Sequence, residues 1–307
     1  MSEVVLFRRL AVVTAVFAYL QIALGGVVRV SGSGLGCPDW PLCNGRPYPP
    51  ANLHAIVEYS HRAVGSLTGV LIIATVVAAW IVFRKRRPRV AWLATASLIG
   101  VVGEGILGGV VVAQDLSPWL VVVHLGLAMM ILGFLVATAV AAMPPSNGVA
   151  DVRFRRLAAV AVAATYLLLL TGSTVVASAA DESCNSWPLC GNGFAFDFAG
   201  VNAFTMLHRG AVLVIGLLLL HVLSTAWRRR RQVDGMAVVA GATIAIFGVQ
   251  VAVGAGSAIA GGALFDGLHV ALATLVWSGV LATALLAIPR ADSAPELSQL
   301  AVGRRSA

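Results

Sequence analysis

Charge is scarce in this 307-residue sequence: Asp, Glu, Lys and Arg together make up 11% of it, where an average soluble domain has about 25%. That deficit excludes a water-soluble globular protein, because too few side chains remain to solvate a surface. Also missing is any period-two alternation of apolar and polar residues, which excludes a transmembrane β-barrel. The first apolar segment has no A-x-A-like cleavage site, and it exceeds the roughly 7–15-residue apolar core of a secretory signal. It is read as a retained helix. Cysteine is sparse too, with four residues in the whole chain.

What is present is apolar sequence, 59% of the residues, in blocks near the ~20 residues that cross a bilayer as a helix. Short polar blocks separate them. Eight spans are expected near 7–30, 56–83, 90–113, 119–143, 157–179, 203–227, 236–260 and 265–288. They must be helical, since lipid offers no partner to an exposed backbone amide. Seventeen of the 21 Lys and Arg residues fall on one side of these spans: Arg8, Arg9, Arg84, Lys85, Arg86, Arg87, Arg89, Arg153, Arg155, Arg156, Arg228 to Arg231, Arg290, Arg304 and Arg305. The other four are Arg29, Arg46, Arg62 and Arg209. By the positive-inside rule, both termini are expected to be cytoplasmic in a multi-pass cell-membrane protein. The net charge of +8 then reads as a topology signal with anionic-lipid contacts, and not as a nucleic-acid-binding surface.

Self-comparison finds a duplication. Shifting the chain by 147 residues lays GCPDWPLCNG (36–45) over SCNSWPLCGN (183–192), matching Cys37 to Cys184, Trp40 to Trp187 and Cys43 to Cys190. The same ungapped shift puts Tyr19 on Tyr166, Gly25 on Gly172, His61 on His208 and Arg62 on Arg209, and a shift of 145 puts His124 on His269. Each copy carries four spans, an even number, so both enter and leave on the same side. The expected fold class is all-α, with eight transmembrane helices arranged as two parallel-repeat four-helix bundles. The halves are 1–147 and 148–307, with a linker around 144–156 that contains Pro144-Pro145 and three arginines, and with a polar tail at the C-terminus.

Histidine inside a span is costly and normally has a ligand or a partner. Four of the six histidines lie in spans: His61, His124, His208 and His269. Each sits about 8 Å from the outer end at 1.5 Å per residue. One pair per half, on two helices at similar depth, can hold a flat macrocycle between two imidazoles. Bundle cores house such cofactors, and His is a standard haem ligand. Gly65, Gly69, Gly100, Gly103, Gly105, Gly108, Gly109 and Gly126 surround these positions, where small residues allow close helix approach or leave room for a porphyrin. The competing reading is interhelical hydrogen bonding alone. His54 and His221 have no repeat partners and are taken as incidental. Arg62 and Arg209 are candidates for haem propionate contacts or for ordinary interfacial anchoring.

All four cysteines lie in the two large loops on the side opposite the basic runs, where disulfides persist. Of the three pairings open to four cysteines, the local ones, Cys37–Cys43 and Cys184–Cys190, are expected because they need no contact between loops. Either a structural staple or a redox-active pair fits. A zinc site built from Cys37, Cys43 and His54 is disfavoured, because the second loop has no matching histidine.

The motifs EYSHRAVG, VVHLGLAM, TMLHRGAV and LHVALAT, with two C…WPLC loops in a duplicated eight-span chain, resemble the haem A synthase family. The likeness is to bacterial members with cysteine pairs in both large outer loops. The resemblance implies oxidation of one methyl group of haem O, through an alcohol, to the formyl group of haem A. It further implies that His61 and His124 hold the substrate haem, that His208 and His269 hold a permanent haem b, and that Glu58 is the catalytic carboxylate. A haem O synthase and terminal oxidase assembly are the partners it points to; self-association is also open. The repeat adds an asymmetry. Glu58 lies three residues before His61, on the same side of its helix, whereas its counterpart is Thr205. Glu104 aligns with Gln250 at a shift of 146; it is read as a protonated, structural hydrogen-bonding group outside the active site, with a proton path as the alternative.

Two other functions compete. A di-haem cytochrome carrying electrons from quinol would use the four histidines but not Glu58. A membrane thiol–disulfide oxidoreductase would use the cysteines and leave the histidines without a role.

Overall fold

The computed structural model describes residues 2–184, 186–190 and 196–290. Among these there are nine helices: α1 (Ser2–Val30), α2 (Leu53–Phe83), α3 (Pro88–Ala113), α4 (Pro118–Ala141), α5 (Val152–Ala177), the single turn α6 (Ala180–Ser183), α7 (Asn202–Arg228), α8 (Met236–Ala260) and α9 (Ala263–Leu286). No strand occurs among the described residues; the pairing outside helices consists of isolated bridges, Cys43 with Arg46 and Ser146 with Arg290. Eight of the helices are long and apolar enough to cross a membrane. Large apolar side chains point outward on them, with Ile99 71% and Val238 75% exposed. In water that surface would be a liability; in lipid it is the solvated face. The protein is a multi-pass membrane protein. The expected tail, with Arg304 and Arg305, lies outside the described residues, as do Asn185, Gly191 and Asn192 of the second cysteine loop.

Helix ends depart from the apolar blocks where polar caps extend them. α2 starts at Leu53, not near 56, because the Asn52 side chain accepts from the amides of His54 at 2.9 Å and Ala55 at 3.4 Å. α5 starts at Val152, not near 157, because Asp151 accepts from the amides of Arg153 at 2.9 Å and Phe154 at 3.2 Å. Such caps satisfy amides that the first helical turn leaves without partners. Pro88 and Pro118 open α3 and α4, where a missing N–H costs nothing. The linker is therefore shorter than 144–156, and its three arginines belong to the first turns of α5.

The arginines at this end also hold the linker down. Arg8 Nε donates to Ala142 O at 2.6 Å, Arg87 Nη1 to Met143 O at 2.7 Å and Arg155 Nη1 to Val149 O at 2.7 Å. Ser146 and Arg290 exchange backbone hydrogen bonds of 2.9 and 2.8 Å, and Arg229 pairs with Asp151 at 2.7 Å. These contacts gather the basic segments at one end of the molecule.

α1, α2, α3 and α4 pack in a ring, each on the next and α4 back on α1; α5, α7, α8 and α9 form a second ring in the same manner. The rings meet through α1, α4, α5 and α9. At that seam Trp277 of α9 lies over Gly133 of α4, where a Cβ would come within 2.6 Å of the indole. Tyr166 of α5 donates to Gly126 O of α4 at 3.0 Å. Small residues that admit a neighbouring ring at van der Waals contact are the usual means of membrane helix association. Each ring has its own apolar packing: Phe7 meets Phe83 edge-on with centroids 4.9 Å apart in the first. Leu219, Leu223, Met236 and Val280 are fully buried in the second.

Candidate functional site

Each of the four span histidines faces a neighbouring helix at a glycine. A Cβ on Gly25 of α1 would sit 3.1 Å from His61 Cε1, and one on Gly172 of α5 would sit 3.0 Å from His208 Cε1. The corresponding separations are 3.3 Å from Gly108 of α3 to His124, and 2.7 Å from Gly254 of α8 to His269. At Gly254 a Cβ would force the ring to move, and at the other three it would be a tight contact that the ring relieves only by shifting a few tenths of an ångström. His61 of α2 and His124 of α4 belong to the first ring of helices, and His208 of α7 and His269 of α9 to the second. Each ring of helices thus carries two of the four span histidines, on helices that are not sequence neighbours.

The ring nitrogens have different partners in the two halves. Gln21 Nε2 lies 3.2 Å from His61 Nε2, and Thr171 Oγ1 lies 2.9 Å from His208 Nδ1. Glu104 Oε1 is 3.1 Å from His124 Nδ1, off the line of a well-formed hydrogen bond, and Gln250 Nε2 is 3.1 Å from His269 Nδ1. Glu104, read from the sequence as lying outside the site, is in contact with a candidate ligand. Gln21, Thr171, Gly254 and the cradling roles of Gly25 and Gly172 were not anticipated, although the last two were visible as a match in the repeat. Among the surrounding glycines, Gly100 is packed against Ile131, Gly109 against Trp40 and Gly126 against Tyr166. Gly100 and Gly126 serve helix packing and Gly109 seats the first cysteine loop, instead of leaving room.

Among the described residues, six buried side-chain N or O atoms have no hydrogen-bond partner, and five belong to this constellation: Gln21 Oε1, His61 Nδ1, Glu104 Oε2, His124 Nδ1 and Gln250 Oε1. A buried polar atom without a partner costs about 1–3 kcal/mol. Such a concentration fits residues that complete their bonding on a ligand. Paired imidazoles with glycine cradles are the right donor set for a haem, so the residues present fit that group in both halves.

Glu58 is buried, and both of its oxygens are engaged. Oε2 accepts from the Cys37 amide at 2.7 Å, and Oε1 is ion-paired with Arg62. Arg62 donates further to the carbonyls of Cys37, Asp39 and Leu42, each at 2.6 Å. Arg209 donates to Ser186 O at 2.7 Å and to Pro188 O at 3.2 Å. The two arginines, considered as propionate contacts, are thus seen holding the cysteine loops over the helix ends. At Thr205, the counterpart of Glu58, the hydroxyl donates to Ala180 O at 3.3 Å. Asp39 closes the first loop by accepting from the amides of Asn44 and Gly45; the Gly45 amide above all holds its carboxyl below the usual range.

Cys37 is bonded to Cys43 and Cys184 to Cys190, and all four are buried. His54, exposed, meets Ser33 Oγ at 3.0 Å, so no zinc site forms from Cys37, Cys43 and His54. Alkylation without reductant is expected to find no free thiol, and peptide mapping to recover both local pairs. Recovery of Cys37 linked to Cys184 or Cys190 would overturn the pairing.

Known proteins bear on this arrangement. Residues 8–281 match the family model described as cytochrome oxidase assembly protein. A heme A synthase of Shouchella clausii is 28% identical over 222 residues, 69% of this chain and 73% of the relative. A heme A synthase of Alkalihalophilus pseudofirmus is 30% identical over 227 residues (69% and 74%). That of Symbiobacterium thermophilum is 30% identical over 268 residues (81% and 84%). With the match running through all eight spans and both histidine pairs, the chain belongs to the cytochrome oxidase assembly protein family, among the haem A synthases.

Proposed function

We propose that this chain oxidises a methyl group of haem O to the formyl group of haem A, with haem O held between His61 and His124 and haem b between His208 and His269. Membership in the family makes it an oxidoreductase of haem A biosynthesis. The observation that carries the finer reading is the duplication of the histidine pair, each ring against its own glycine, with the two copies differing at two equivalent positions. Glu58 and Glu104 stand where the second half has Thr205 and Gln250. One scaffold copied twice, with an acid at these two positions in the first copy and Asp266 of the second engaged by Ser257, supports proton-linked chemistry in 1–147 and electron delivery or acceptance in 148–307.

Haem b, when bound, supplies one-electron redox chemistry. The residues of the chain bind and orient. His61 and His124 fix the substrate macrocycle at a constant depth, and the Cys37–Cys43 loop, pinned by Arg62, covers the helix end above Glu58. A carboxylate there can take or pass on protons as the methyl group loses them. The orientation that goes with this reading has both termini in the cytoplasm and the cysteine loops on the outer face. Upstream it calls for an enzyme making haem O, and downstream for assembly of a terminal oxidase.

The pyridine haemochrome spectrum of the purified protein, with chromatography of extracted haems, tests the proposal. Haem O or haem A beside haem b is the expected result. Haem b alone, filling both sites, would favour the di-haem cytochrome; absence of haem would favour the thiol–disulfide enzyme.

A further inference from the structure

Glu104 lies well inside α3, a membrane-spanning helix of 26 residues, where an acid is expensive. Its surroundings define what it addresses. Glu104 and Gly108 are four residues apart and so share a face of α3; Gly108 cradles the His124 ring, and Glu104 Oε1 stands 3.1 Å from its Nδ1. The other carboxylate oxygen, Oε2, is buried without a partner. On α8 the same arrangement recurs with different chemistry. Gln250 and Gly254 are also four residues apart, Gly254 cradles His269, and the Gln250 amide nitrogen lies 3.1 Å from the Nδ1 and 3.2 Å from the Nε2 of that ring, while Asp266, three residues before His269, is engaged by Ser257.

The second half is thus an internal control. An uncharged amide suffices to pack beside and steady a ring of this kind, so packing alone does not account for an acid at the equivalent place. What a carboxylate adds is a stronger acceptor for an imidazole N–H. A carboxylate behind a ligating histidine fixes the tautomer, turns the other ring nitrogen toward the metal and makes the ligand more electron-donating.

Resting on the bis-histidine reading above, we propose that Glu104 is a positioning residue for His124. It engages the Nδ1 edge of that ring, presents Nε2 to the substrate haem, and makes the first haem site electronically distinct from the second, where Gln250 stands behind His269. The catalytic groups are unchanged by this assignment; Glu104 acts through the ring it holds.

The test uses the full-length holoprotein with haem O in the first site and haem b in the second. Glu104→Gln copies the second-half chemistry into the first and keeps the side chain's size. Its first-site haem is expected to stay bound, with an altered low-spin electron paramagnetic resonance signature and a higher reduction potential. A roughly tenfold change in the oxidised-to-reduced ratio corresponds to about 59 mV for one electron. The second-site haem should keep its wild-type signature, and Gln250→Glu should shift the second site in the opposite sense. Glu104→Ala, which removes the contact, should weaken first-site haem binding by about 10–100-fold. An unchanged first-site signature and potential in Glu104→Gln would overturn the assignment, as would an equal shift at both sites. The bis-histidine reading is checked separately by His124→Ala: if that variant keeps first-site haem with wild-type ligation, the ligand set is wrong whatever Glu104 does. If ligation is lost, adding Glu104→Gln on that background should have no further effect.

Discussion

Glu58→Gln is expected to lower haem A formation by about 10²–10⁴-fold, the usual contribution of a positioned acid–base group, while both haems remain bound. Removing hydrogen from an unactivated methyl group takes electrons and protons together, and a titratable group near the macrocycle gives the protons a route. Glu58 is buried under the first cysteine loop, with the Cys37 amide on one oxygen and Arg62 on the other. Glutamine keeps the shape and can still accept from the Cys37 amide, but it cannot exchange a proton. The structural contacts supply the rival explanation, that Glu58 only anchors the loop, and Arg62→Gln separates the two. That variant loses the ion pair and the three loop-carbonyl contacts yet keeps the carboxylate, so an anchor role would make it at least as damaging as Glu58→Gln. A proton role makes it less so. Thr205→Ala, which removes one hydroxyl contact to Ala180 O, should affect turnover far less. Chromatography of extracted haems gives the rates; haem A made by Glu58→Gln at the wild-type rate would end the proposal, and accumulation of the alcohol would favour it.

The second large effect concerns ligation. His208→Ala or His269→Ala should deplete haem b and leave the helices in place, because each ring's contact with the neighbouring helix is through a glycine and one polar side chain. His61→Ala or His124→Ala should instead impair binding of the substrate haem while haem b persists. The reason for expecting independence is spatial: His61 and His124 belong to the ring α1–α4, and His208 and His269 to the ring of α5, α7, α8 and α9. Circular dichroism reports the helices, and the haemochrome spectrum reports each haem. Equal loss of both haems from every single variant would show one shared site in place of two.

By itself the sequence determined the membrane character, the eight spans, the duplicated histidines and the cysteine pairing. These are local or periodic properties. A span is set by the length of an apolar run against the thickness of the bilayer, a repeat by residue identity at a constant offset, and a six-residue cysteine spacing by the short reach of the chain between Cys37 and Cys43. Helix starts were less legible, since Asn52 and Asp151 extend α2 and α5 beyond the apolar blocks through side-chain caps that hydropathy does not register.

The tertiary structure alone decided what stands beside each histidine. Contacts such as Gln21 with His61, or Glu104 with His124, join different helices, and the rotation of one helix against another is fixed by packing at the seams, as where Trp277 lies over Gly133. No spacing along one helix carries that angle. For the same reason the glycines could be counted in the sequence but not sorted: Gly25, Gly108, Gly172 and Gly254 meet histidine rings, whereas Gly100, Gly109 and Gly126 meet Ile131, Trp40 and Tyr166. Arg62 and Arg209 likewise read as propionate contacts or interfacial anchors until folding brought the loop carbonyls onto their guanidinium groups. A guanidinium with five donors binds whatever acceptors folding delivers to it, and the chain's own backbone was delivered.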